Sequence, residues 1–366
     1  MSRIGIREIA KLANVSPGTV DRALHGRKGI TEETRQRILA IAESIGYTPD
    51  LAARALSVGR APVQIGVSIP REIRYYFDQL LAGILSEAGR FERLGVKVLY
   101  SPTERLGRDD VEKALELLSH RIDALIITPG DPQALAPVID AAESKGVRVI
   151  CVDTDAPSSQ RSSVVCINAE VCGKLAAELM TGFLPAGSDV VVVTGMLDVE
   201  DHAKKTEGFR AMYAEHGHGV GTFRVIEAHE DEEEAFQRCF ALLSKPNSVA
   251  GIYVNTVNCL PVCRAIGAAG LSRKIKLITT DLFSAMIPFV EKGVISASIH
   301  GRPFAQGETA MRLAVDHLLN GTPLPKARLL LPHVVMRSNL HYFREVSGAP
   351  VEPPVTSPSF IRVGDH

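Results

Sequence analysis

The sequence predicts an α/β protein with a two-lobed, doubly wound core preceded by a small all-α unit. Three observations carry that expectation. Apolar residues recur at helical spacing in three short blocks near the N-terminus, the texture changes near residue 63 to Val/Ile-rich runs alternating with helical patterns, and eleven such runs follow at regular intervals. Eleven strands are too many for one tidy doubly wound sheet, so the 366 residues divide into a small unit and two lobes.

In chain order, Ile6, Ile9, Ala10 and Ala13 set the first helix, Asn14-Val15-Ser16 interrupts it, and Val20, Ala23 and Leu24 resume the pattern. Ser16 is a good N-cap, and Pro17 fits the first helical position, where a missing N–H leaves nothing unsatisfied. Thr31, followed by Glu32 and Glu33, caps a third helix with Ile38, Ile41, Ala42 and Ile45 on its core face. Asp50 opens one more helical stretch, Leu51–Leu56, too short to be stable alone. Strands are then expected over Val63–Ile69, Val96–Tyr100, Ala124–Thr128, Val147–Asp153, Val164–Ile167, Asp189–Thr194, Phe223–Ala228, Gly251–Asn255, Lys276–Asp281, Ile295–His300 and His333–Arg337. Prolines at 350, 353, 354 and 358 predict a disordered tail. The resulting boundaries are 1–49, 50–61, 62–345 and 346–366.

A net charge of -1 excludes a uniformly basic nucleic-acid binder, but the distribution is uneven. Residues 1–60 hold ten Lys/Arg against six Asp/Glu, so basic charge gathers on the helical unit. The six cysteines form no C-x-x-C pair or zinc-spaced cluster and read as buried reduced thiols. His216 and His218 lack a partner cluster and read as residues of a surface turn, Gly217–Gly221, rather than metal ligands. No signal segment or run of about 18 apolar residues is present, so a cytoplasmic, nucleoid-associated location without a membrane partner is expected. G-x-G-x-x-G, Walker, H-E-x-x-H and G-x-S-x-G motifs are missing, which argues against an enzyme and against a cofactor. An enzyme on the same scaffold remains a rival reading, because fold alone never excludes catalysis.

Two helices joined by the turn at Asn14–Ser16 make a helix-turn-helix, in which the second helix enters the major groove. The stretch Ile6–Leu24, with its A-x-x-A-x-V-S-x-x-T-V-x-R pattern, resembles the headpiece of the lactose-repressor (LacI/GalR) family, and the match runs on through Gly46-Tyr47-Thr48-Pro49. The resemblance implies that Pro17, Gly18 and Arg22 face bases while Ser16 and Thr19 hold phosphates. An arginine pairing with guanine supplies about 1–3 kcal/mol of discrimination, which Pro17 and Gly18 cannot supply through side-chain hydrogen bonds. Asp21 is read as orienting the helix. The stretch from Asp50 to Leu56 matches the family's hinge helix, with Ala53 and Leu56 at the positions that wedge into the minor groove.

Behind the headpiece, residues 63 to about 340 resemble the type I periplasmic sugar-binding fold, with Gly251–Asn255 and Ile278–Asp281 as landmarks. Such a core by itself would also suit a periplasmic binding protein, but the headpiece and missing signal sequence argue otherwise. Polar residues at strand ends, where open α/β sheets bind ligands, are Thr128, Asp153, Asn255 and Asp281. By resemblance, Tyr76 and Phe77 stack on a sugar, Asp153 and Asp281 accept from its hydroxyls, Asn255 donates and accepts, and Lys205 stands where arginine is frequent. Gly301 stands where glutamine is frequent, with His300 or Arg302 in its stead. The expected effector is a monosaccharide or sugar acid; Arg71, Arg74, Lys205 and Arg302 would make the cleft positive and so favour a sugar acid or phosphate over a neutral sugar. The expected partner is a two-fold symmetric operator duplex, bound by a homodimer because the tail lacks the apolar heptads of a coiled-coil tetramer.

Overall fold

The computed structural model describes residues 6–24, 29–44, 62–216, 221–245, 249–256, 258–343 and 359–363. It divides into two units at Pro62/Val63. The first holds α1 (Ile6–Leu12), α2 (Pro17–Leu24) and α3 (Glu32–Ser44). Ile9, Ala13, Val20 and Ile38 form its core. Their burial fixes the rotation of α2, because Val20 and Ala23 must face inward. The Thr31 hydroxyl accepts from the Thr34 N–H at 3.3 Å and caps α3 as expected.

The second unit contains two sheets. The first has the order β11-β5-β4-β3-β1-β2-β13, with β1 (Val63–Ser68), β2 (Val96–Tyr100), β3 (Ala124–Ile127), β4 (Arg148–Val152), β5 (Ser163–Ile167), β11 (Arg328–Leu330) and β13 (Phe360–Arg362). All its strands run parallel. The second has the order β12-β10-β9-β8-β6-β7, with β6 (Asp189–Thr194), β7 (Phe223–Glu227), β8 (Val249–Val254), β9 (Lys276–Thr280), β10 (Ile295–His300) and β12 (His333–Val335). In this sheet β12 alone is antiparallel. Runs such as Ala-Leu-Ile-Ile in β3 are buried on both faces, as parallel strands covered by helices require.

On the first sheet, α4 (Arg74–Arg90) and α12 (Pro303–Asn320) cover one face, and α5 (Asp110–Ser119) and α6 (Pro132–Ser144) cover the other. On the second, α7 (Ala169–Phe183) and α8 (Glu200–His216) lie opposite α9 (Glu232–Leu243), α10 (Cys259–Ala268) and α11 (Ile287–Glu291). Each lobe contains one very close helix crossing made by a reciprocal glycine pair. A Cβ on Gly83 of α4 would fall 2.0 Å from the Phe304 carbonyl oxygen, and one on Gly307 of α12 would fall 2.1 Å from that of Leu80. Likewise, a Cβ on Gly173 of α7 would lie 2.0 Å from the Lys205 carbonyl oxygen, and one on Gly208 of α8 would lie 2.2 Å from that of Glu170.

Among the described residues the chain passes between lobes at Asn168, at Gly301–Arg302 and at Leu331–Pro332. These crossings are tied together, with the Asn168 N–H on Leu330 O at 3.4 Å and Arg302 Nη1 on Leu331 O at 3.3 Å.

Two short strands depart from expectation. The stretch expected to be a disordered tail contains β13, whose backbone pairs with β2 and whose Phe360 ring packs on Tyr100. Strand β11 was likewise not expected. Both are edge strands of three residues held by backbone pairing, and neither carries an apolar pattern long enough to mark it. The Gly217–Gly221 turn falls almost wholly outside the described residues. All six cysteines are free, and five are buried. No described helix is long and apolar enough to cross a membrane.

Candidate functional site

In the headpiece, Asn14 ends α1 in the left-handed region (φ 52°), which lets the Val15 N–H reach the Ala10 carbonyl at 3.0 Å. Ser16 then opens α2, its Oγ accepting from the Thr19 N–H at 3.1 Å and lying 2.9 Å from Thr19 Oγ1. Ser16, Pro17, Gly18 and Arg22 are exposed, and Thr19 is half-buried. The structure therefore places the five expected contact residues on the outward side of α2, with the Ser16 and Thr19 hydroxyls joined in the cap. A Cβ on Gly18 would meet only Ser16 Oγ, at 3.8 Å, so this end of the helix offers bare backbone. Ala53 and Leu56 lie outside the described residues.

In the core, Thr128, Asp153, Asn255 and Asp281 each sit one residue beyond a strand. Asp153 (φ 71°) and Asp281 (φ 63°) occupy corresponding left-handed positions in the two lobes. Each backbone N–H still joins the ladder, to Val165 O at 2.8 Å and Ile299 O at 2.9 Å, before the chain turns out of the sheet.

A continuous set of hydrogen bonds links the two carboxylates. Tyr76 Oη donates to Asp153 Oδ1 at 2.5 Å, and Gln306 Nε2 donates to Tyr76 Oη at 3.1 Å and to Gly301 O at 2.9 Å. The Gly301 N–H donates to Asp281 Oδ1 at 3.3 Å. Burial pushes the Asp153 carboxyl up to about 7 against the Tyr76 hydrogen bond, with Asp201 and Asp281 adding to the rise. Burial also pushes Asp281 up to about 6, although Lys205 and the Gly301 N–H oppose it.

Lys205, 6% exposed, is ion-paired with Asp201 one helical turn earlier. Burial is the largest single effect and works against its charge, but Asp201, Cys172, Tyr253 and Asp281 together outweigh it and hold the ammonium above the usual lysine value. Fully buried Asn255 donates from Nδ2 to Thr206 Oγ1 at 2.9 Å and to His202 O at 3.2 Å, while its Oδ1 has no partner. Tyr75 reaches from α4 to stack on Phe283 of the second lobe, with centroids 4.0 Å apart, and its buried hydroxyl has no partner. Burial raises that hydroxyl's pKa, with Asp281, Cys259 and Glu230 adding to the effect. Nearby, His202 Nε2 lies 3.4 Å from Glu230 Oε1.

Several expectations need correction. Phe77 is 3% exposed and packs in the first-lobe core alongside Tyr76, whose hydroxyl reaches Asp153, so the Phe77 ring is not an open stacking surface. His300 makes an edge contact with Phe343, and burial, then His333 and Arg302, lower its pKa to about 4. Asn255 has its donor committed within its own lobe and keeps only an acceptor. Thr128 is buried with its Oγ1 unpartnered at the end of β3. Three of the four cations expected to make the cleft positive are paired with acids, Arg71 with Glu104 at 3.5 Å, Arg74 with Asp78 at 3.3 Å and Lys205 with Asp201, while Arg302 reaches a backbone carbonyl. Sequence reasoning missed Tyr75, Asp201, His202, Glu230 and Gln306. Asp201 alone had a local signal, its i,i+4 spacing to Lys205.

Two family matches divide the chain as the fold does. "Bacterial regulatory proteins, lacI family" matches residues 5–50, and "Periplasmic binding protein domain" matches residues 65–322. Catabolite control protein A of Priestia megaterium is 23% identical over 255 residues, 69% of this chain and 74% of that protein. The probable HTH-type transcriptional repressor ExuR of Bacillus subtilis (strain 168) is 24% identical over 273 residues, 73% of this chain and 78% of that protein. Among solved structures, the glucose-galactose binding protein GanP of Geobacillus stearothermophilus superposes with a TM-score of 0.67 at 21% identity, covering 77% of this chain and 99% of that one.

Proposed function

Because the chain belongs to the lacI family of bacterial regulatory proteins, with its headpiece joined to a periplasmic binding protein domain, we propose that it is a repressor whose hold on a two-fold symmetric operator is set by a small hydroxylated effector in the core cleft. The observation that carries this reading is the meeting of Asp153 from one lobe and Asp281 from the other, linked through Tyr76, Gln306 and the Gly301 crossing. A ligand that bridges the carboxylates stabilises one arrangement of the lobes over others, which is the differential contact an allosteric effector needs. Sugar-binding proteins such as GanP share this fold, and ExuR and Catabolite control protein A are regulators of related sequence.

At the DNA end, Arg22 reads a base edge, Ser16 and Thr19 contact phosphates, and Pro17 and Gly18 admit the backbone close to the groove. Ala53 and Leu56 form the minor-groove wedge between paired headpieces of a homodimer. The chain works in the cytoplasm, where its operator is, and the cleft is a receptor rather than a catalytic centre. The full-length protein incubated with randomised duplexes should enrich one two-fold symmetric site, and Arg22→Ala should flatten the preference at a single base step in each half-site. Enrichment of no site, or an unchanged preference in the variant, would remove the operator reading or the role of Arg22 respectively.

A further inference from the structure

Resting on the effector-cleft reading above, we infer that the cleft selects a polyhydroxylated ligand bearing a protonated amine, an amino sugar in preference to a neutral sugar or a sugar acid. Hydrogen-bonding capacity carries the inference. The donors that lie on the carboxylates are largely committed: Tyr76 Oη to Asp153, the Gly301 N–H to Asp281, one Lys205 N–H to Asp201 and Asn255 Nδ2 to α8, which leaves the Tyr75 and Thr128 hydroxyls and the rest of the Lys205 ammonium. The acceptors are in surplus. Beside the two carboxylates, fully buried Asn255 Oδ1 and Gln306 Oε1 have no partner.

Both amides are oriented by backbone carbonyls, since Asn255 Nδ2 meets His202 O and Gln306 Nε2 meets Gly301 O. Each oxygen therefore remains an acceptor that its own strand or helix cannot satisfy. Asn255 stands at the end of β8, beside the β9 end that carries Asp281. Gln306 lies between the two carboxylates through its bonds to Tyr76 and Gly301.

Charge points the same way. Lys205 acts on Asp201, Asp153 and Asp281 together, three carboxylates to one ammonium, while Arg71 and Arg74 pair with acids of their own and Arg302 reaches a backbone carbonyl. An ammonium offers three donors, no acceptor and the missing positive charge, whereas a ligand carboxylate would add acceptors and negative charge to a site rich in both.

Isothermal titration of the full chain at pH 7 with matched sets tests this: glucosamine, glucose and glucuronate, then the galacto and manno counterparts. The amine of at least one set should bind about tenfold more tightly than its neutral partner, the acid should bind worst, and Asp281→Asn should bring amine and neutral sugar to near parity. Asp153→Asn is the second variant should Asp281→Asn not fold. Equal or better binding of the neutral or acidic member overturns the amine inference and leaves the sugar-effector reading standing. Binding of no member of any set overturns both.

Discussion

Replacing Asp153 with asparagine removes a carboxyl whose burial pushes it from an ordinary 3.8 up to about 7. Between those values the folded chain holds a proton that the unfolded chain has released, so the stability tied to this group is present at low pH, falls as pH rises through the window, and is level above about 7. At roughly 1.36 kcal/mol per pH unit, the full window corresponds to a ceiling of about 4 kcal/mol. Asp153 retains some solvent contact, which screens the shift, so about half the ceiling is expected. Roughly two thirds of the window lies above pH 5. The variant should therefore gain about 1–2 kcal/mol on wild type between pH 5 and pH 8. Asp281 titrates with the same sign in both proteins and drops out of the difference. The chain has no tryptophan, so urea unfolding of both full-length proteins is followed by far-ultraviolet circular dichroism. A stability difference that stays constant from pH 5 to pH 8 would refute the account of Asp153.

Two further outcomes are expected. Gly173→Ala places a methyl against the Lys205 carbonyl where helices α7 and α8 cross, so thermal unfolding should report a loss of about 1–3 kcal/mol; an unchanged midpoint would contradict so close a crossing. Lys11 is exposed in the last turn of α1, and if it meets a phosphate, Lys11→Ala should weaken all duplexes alike and reduce the salt slope of binding by about one; an unaltered slope would rule that contact out.

The parts legible in the sequence are those decided locally. The Ser16 and Thr31 caps, the turn at Asn14 and the inward face of α2 follow from residues three or four apart. The strand-end positions of Thr128, Asp153, Asn255 and Asp281 were readable because a Val/Ile run that ends in a polar residue marks where a parallel strand leaves its sheet. Phe77 could have been placed correctly, since it continues the spacing of Leu80, Leu81, Ile84 and Ala88 on the core face of α4. Gln306 could not. Its partner Tyr76 is 230 positions away, and only the docking of α12 on α4 brings them together. The cleft's positive charge was overcounted for the same kind of reason: counting arginines omits Glu104 and Asp78, which neutralise Arg71 and Arg74.

The paired glycine crossings bear on how such a receptor can acquire new ligands. Gly83 with Gly307, and Gly173 with Gly208, lock two helix pairs backbone to backbone, and the residues proposed to line the cleft stand on those same helices: Tyr75 and Tyr76 two turns from Gly83, Gln306 next to Gly307, and Lys205 and Asp201 one and two turns from Gly208. The helix pairs therefore behave like tool holders with replaceable bits. Side chains at the tips are open to exchange by single substitutions, while the clamps, which leave no room for an added methyl, hold each helix pair fixed.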